Sequence, residues 1–117
     1  DYLQLIGQKT GIKERRLQVG HLSKTLKELA MSMKIPIVAI CSLSRPFQGR
    51  TDNRPRLEDL KESGDLEYDA DVVMFLHRAT RDSELADFIV AKNRSGSVGE
   101  CKLFFDSVTA SYKEGKI

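Results

Sequence analysis

Residues 59–78 constrain the possible fold more than any other stretch, because a short charged segment and a glycine break run directly into the unbroken apolar run Val72-Val73-Met74-Phe75-Leu76. Consecutive apolar residues rich in β-branched side chains read as a strand covered on both faces. A second such run, Phe88-Ile89-Val90-Ala91, closes on Lys92-Asn93-Arg94 and is followed by Ser95-Gly96-Ser97-Val98-Gly99. Two cations at the end of a strand, ahead of a glycine-containing turn, can point out of a sheet toward phosphate. A third run, Lys102-Leu103-Phe104-Phe105, lies beyond Gly96 and Gly99, and that spacing predicts a hairpin.

Upstream, Val19, Leu22, Leu26, Leu29, Ala30 and Met33 recur at steps of three and four, which predicts a helix over about 12–34 with Lys24, Lys27, Glu28 and Lys34 on its other face. Pro36 stops it, and Ile37-Val38-Ala39-Ile40-Cys41 reads as one more strand buried on both sides. Residues 42–56 are polar, with Pro46, Gly49 and Pro55 and with Arg45, Arg50, Arg54 and Arg56, and they read as a long mobile loop of the functional kind. A short helix is expected from Leu57 to Glu62, ending near Gly64. The expectation is an α/β chain in which a helix packs on a sheet, with a helix-linked parallel portion giving way to an antiparallel edge hairpin after Asp71.

With 117 residues the chain fits one domain with a modest core. A formal charge of +2 leaves any nucleic-acid contact to local clusters rather than to a global basic field. Cys41 and Cys101 lack metal-ligand spacing and sit in apolar runs, so both are expected to behave as small core hydrophobes. His21 and His77 have no ligand-spaced neighbours and read as ordinary surface or core-edge residues. No signal-like start or long apolar span occurs, so the chain reads as cytoplasmic, with no membrane partner.

Several segments together resemble hexameric replicative DNA helicases of the DnaB type. Asp1-Tyr2-Leu3-Gln4-Leu5-Ile6 matches the family's D-Y-L-Q-L-I, and the run from Val38 to Arg45 resembles the family's strand ending A-L-S-Q-L-N/S-R. Arg54-Pro55-Arg56-Leu57 through Arg78 is similar to R-P-x-L-x-D-L-R-E-S-G-x-I-E-Q-D-A-D-V-V-x-F-L-Y-R, and Lys92-Asn93-Arg94 matches a K-x-R pair. The resemblance spans essentially the whole chain and corresponds to the second half of a RecA-like motor domain, so residues 1–117 are expected to form a single partial domain. Its opening on an acidic residue at the head of an apolar run suggests a piece cut from something longer.

What the resemblance implies can be stated residue by residue. Asp1 would be the acidic residue linked to magnesium; on its own, a terminal aspartate is usually just a solvated one. Ser42 stands where the family has a γ-phosphate-sensing glutamine, and its shorter hydroxyl would reach a phosphate only through a water. Lys61, Glu62 and Gly64 occupy the family's R-E-S-G loop, which touches single-stranded DNA in the channel of the ring. Lysine there keeps the charge and loses the bidentate fork. Without the family match, the same residues read as a helix end capped by glycine. Lys92 and Arg94 would reach across a subunit boundary to the γ-phosphate held by a neighbour, a role that contributes on the order of 10³ to 10⁵ in rate; taken alone, they read as a solvated strand end. Glu67, Asp69 and Asp71 precede a strand and read as a cap on its edge or as partners for basic residues of a neighbour.

The resemblance therefore implies a fragment of a ring-forming, ATP-dependent helicase that translocates on single-stranded DNA, with ATP and magnesium as cofactors, a homohexamer as the assembly, and a loader or primase as further partner. No G-x-x-x-x-G-K-[ST] loop occurs in the sequence, so this polypeptide alone is not expected to hydrolyse ATP. The alternative is a non-catalytic, truncated RecA-like module that binds DNA or a partner subunit.

Overall fold

The computed structural model describes residues 3, 6, 11–43, 51–63 and 65–115, without the side chains of Arg15 and of residues 61–63. These residues fall into two compact units, one built from residues 1–46 and 58–70 and the other from 47–57 and 71–117.

The first unit is helical. Helix α1, Arg15–Met33, follows the predicted periodicity. Val19 and Leu22 are buried together with Leu3, and Leu26 and Leu66 pack against that cluster. Leu29 and Met33, on the same stripe, are exposed. The helix ends ahead of Pro36, with Lys34 in the left-handed region at φ 55° and the Ile35 amide donating to the Ala30 carbonyl. A residue directly before proline avoids the helical region, so the chain turns out one step ahead of that restriction. A 3-10 helix, Leu57–Ser63, takes the place of the expected short helix, and a single turn, α2 (Leu66–Asp69), follows it. The Ser23 hydroxyl donates to the Asp69 carboxylate at 2.8 Å, tying α2 to α1.

The expected strand at 37–41 does not form: residues 35–43 carry no regular secondary structure, and Val38 and Ile40 are 80% and 63% exposed. A strand buried on both faces needs a ladder on each edge. Here the Leu3 amide donates to the Ile40 carbonyl at 2.8 Å, and among the described residues no ladder extends from that bond.

The second unit is a four-stranded antiparallel meander in the order β1-β2-β3-β4, formed by Val72–His77, Leu85–Asn93, Gly99–Asp106 and Ser111–Glu114. The strands of this unit are all antiparallel; the expected parallel portion is not shown among the described residues, and the edge hairpin is one arm of a larger meander. Short connections account for this, since antiparallel neighbours can be joined by a few residues whereas parallel ones need a long crossover. The last strand had no apolar run to reveal it; it is held by the β3 register, with Phe105 opposite Tyr112 and their rings 5.0 Å apart.

The β1 burial pattern alternates, with Val73 and Phe75 buried and Val72, Met74 and Leu76 exposed. The run is apolar on both faces, but only one is covered. Cys101 is exposed, not a core hydrophobe, and Cys41 is half-buried; neither is in a disulfide.

Candidate functional site

The β1/β2 ladder positions the two cations that the sequence singles out. Val73 pairs with Lys92 but Met74 pairs with Val90, so Ala91 is the extra residue of a β-bulge. Residues directly opposite in an antiparallel ladder share a face. Phe75, opposite Ile89, and Val73, opposite Lys92, therefore define one face, and the bulge returns Lys92 to it although Lys92 lies an odd number of positions beyond Ile89. The run Phe88–Ala91 is apolar at every position, so its sequence carries no alternation from which this change of phase could be read.

Beyond Asn93, the Arg94 amide donates to the Asp71 carbonyl at 2.8 Å, which extends the ladder past the formal strand ends. The Arg94 guanidinium also donates from Nη1 to the Asp71 carboxylate at 2.9 Å. That pair is about half exposed, at 48% for Arg94 and 58% for Asp71, so a group from outside the chain can approach it. Lys92 is half-buried. Behind the cations the chain turns sharply: the Asn93 side-chain amide donates to the Ser97 carbonyl at 3.2 Å. A Cβ at Gly96 would lie 2.6 Å from that amide nitrogen, so a side chain there would have to displace it.

The same sheet face carries a second polar cluster that sequence reading did not isolate. Asp87 lies opposite His77 on β1 and Lys102 on β3. Arg54 donates to the Asp87 carboxylate at 3.1 Å and pairs with Glu100, while Lys102 also pairs with Asp87. The Asp87 pKa is lowered, first by the Lys102 hydrogen bond, against the opposing effect of burial, and then by the charges of Lys102, Arg54 and His77. Arg54 thus fastens the segment before the 3-10 helix to β2 and β3. Its sequence signal was only membership of an arginine-rich polar loop; Asp87 lies 33 residues further along the chain. Elsewhere on the sheet, Arg78 stacks on Phe105 with 4.3 Å between guanidinium carbon and ring centroid.

The other residues singled out from the sequence are distributed differently. Ser42 is exposed in the irregular segment after α1. Lys61 and Glu62 belong by their backbone to the 3-10 helix. Asp1, Gly64 and the side chains of Lys61 and Glu62 lie outside the described residues, so the expected magnesium carboxylate and most of the expected DNA contact do too. Of the acidic trio before β1, Asp69 is taken up by Ser23 and Asp71 by Arg94. No described helix is long and apolar enough to cross a membrane.

Comparison with known proteins bears on this arrangement directly. Residues 1–114 match the family model described as the DnaB-like helicase C terminal domain. The chain is 43% identical over 117 residues to a probable plasmid replicative DNA helicase of Chlamydia psittaci, covering 96% of this chain and 26% of that protein. It is 44% identical over 112 residues to the replicative DNA helicase DnaB of Geobacillus stearothermophilus, covering 90% and 25%. Among solved structures, a protein described as an ATPase domain superposes with a TM-score of 0.85 at 35% identity, over 99% of this chain and 43% of that one. A DnaB-like replicative helicase studied with its interactions with primase gives 0.86 at 35% identity, over 99% and 29%. The chain thus spans about a quarter of the length of the curated relatives it matches.

Proposed function

From the premise that this chain belongs to the DnaB-like helicase C-terminal domain family, we propose that it is the second half of the RecA-like motor of a ring-forming replicative helicase, which uses ATP to move along single-stranded DNA. The observation that carries the reading is the bulged end of β2, where Lys92 and Arg94 close the strand on a half-exposed edge.

The chemistry of that edge suits a nucleotide triphosphate. Lysine and arginine side chains present only N–H donors, and a guanidinium offers five of them in a planar fork. ATP with magnesium, bound by an adjoining subunit, supplies the phosphoryl group to be transferred. Lys92 and Arg94 would donate hydrogen bonds to the charge that spreads over its equatorial oxygens, and being fixed by the ladder they would need little reorganisation at that moment. Asp1 would hold the magnesium through its hydration shell, and Ser42 would sense the terminal phosphate through a bridging water. Lys61 would meet a DNA phosphate as a point charge, while Glu62 would orient its neighbours and Gly64 would let the backbone approach the strand.

The assembly is a homohexamer, which supplies the neighbour that a cation acting in trans requires. A primase is a partner to test, since one of the structurally similar helicases was studied with its interactions with primase.

The test is to mix Arg94→Ala subunits into wild-type rings of the full-length protein and to measure hydrolysis stimulated by single-stranded DNA. Action across a boundary predicts that activity falls as variant subunits enter the ring, because each altered subunit silences a site it does not itself contain. Activity undiminished by Arg94→Ala would remove the trans role.

A further inference from the structure

Arg94 is held twice by the same residue, through its amide to the Asp71 carbonyl at 2.8 Å and through its guanidinium to the Asp71 carboxylate at 2.9 Å. Resting on the functional reading above, we propose that Asp71 is a positioning residue for Arg94, fixing the guanidinium of a trans-acting cation before nucleotide arrives. The two contacts do different things. The backbone bond sets where the Arg94 Cα sits at the end of the ladder, and the carboxylate selects among the rotamers of a long side chain.

An ion pair this exposed contributes little to folding, because solvent screens it. Its value is therefore in geometry: displacing a catalytic group by about 1 Å can cost on the order of 100-fold in rate. The pairing leaves a role for a second anion, since a planar guanidinium has donors enough to serve two at once.

Two opposite consequences of the carboxylate can be separated. Its negative charge repels an approaching phosphate and competes for Arg94, so a mere mask would raise activity when removed. As a positioning group it lowers activity when removed. The same experiment decides between them, with the full-length ring and single-strand-stimulated hydrolysis as readout.

Asp71→Ala is expected to lower kcat about 10- to 100-fold while the KM for ATP stays within about twofold, the pattern of an interaction made in the transition state. Asp71→Glu should recover most of the loss, and the double variant Asp71→Ala with Arg94→Ala should be no slower than Arg94→Ala alone, because Asp71 acts through Arg94. Asp71→Asn, which keeps the side-chain shape, carries the same test if the alanine variant does not assemble. The proposal is overturned if Asp71→Ala and Asp71→Asn hydrolyse ATP at or above the wild-type rate while Arg94→Ala is slow, or if the double variant is markedly slower than Arg94→Ala. If Arg94→Ala itself is as fast as wild type, the trans reading fails first and this proposal fails with it.

Discussion

Arg54 and Lys102 converge on the carboxylate of Asp87, one from the segment preceding the 3-10 helix and one from β3. Removing that charge leaves two cations facing each other across a neutral amide, so Asp87→Asn should destabilise the protein by about 1.5–3 kcal/mol, read as a lower urea midpoint at unchanged slope. The pH dependence follows from the lowered pKa. A carboxylate with a folded pKa below its unfolded value contributes stability that is fully present above the unfolded value and is lost as pH falls through the folded one. Acid titration should therefore weaken wild type more steeply than Asp87→Asn below pH 3.8, the ordinary aspartate value. Asp106 behaves likewise in the β3–β4 turn. Lys113 first, then the Val108 amide and the Thr109 hydroxyl and amide, hold its carboxyl down to about 2. Its carboxyl carbon resonance should accordingly titrate well below that of an exposed aspartate, and Lys113→Ala should move the midpoint up. The partnerships of Asp87 were not visible along the chain, because Arg54, Asp87 and Lys102 are adjacent only once the meander has formed.

Helix α1 is the element that the sequence described best, and its end shows where local rules stop. The apolar stripe and Pro36 bracket it, but Lys34 takes a left-handed conformation that costs a side-chain-bearing residue about 1–2 kcal/mol and that glycine adopts freely. Lys34→Gly should accordingly stabilise the protein by up to about 1 kcal/mol, visible as a higher melting temperature. The β1 strand reads as buried on both faces from its sequence, yet only Val73 and Phe75 are covered. Phe75→Ala should cost about 3–5 kcal/mol, whereas Met74→Ala on the exposed face should cost far less, a contrast that chemical denaturation can measure. Which face is covered depends on what lies against the sheet, and consecutive apolar letters do not record it.

At the scale of the whole molecule, the proposed DNA contact and the proposed phosphate contact draw on different units, Lys61 on the helical one and Lys92 with Arg94 on the meander. In the full-length ring, Lys61→Ala should weaken binding to single strands about equally for all sequences and reduce the slope of log affinity against log salt by about 0.7 for each subunit whose lysine meets a phosphate, as titrations at several ionic strengths would reveal. Arg94→Ala, by contrast, should change hydrolysis and leave that slope unaltered. The sequence by itself determined the helix, the apolar runs that became β1 to β3, the cations closing β2 and the family, because residue order and hydrophobic period are local properties of the chain. Tertiary structure alone decided that the described strands run antiparallel, that residues 35–43 stay irregular, that Ala91 bulges so as to return Lys92 to the face of Val73, and that Asp71 holds Arg94. Each of these depends on which strand edges and charges meet across the sheet, and hydrogen-bond partners distant in sequence leave no trace in the letters between them.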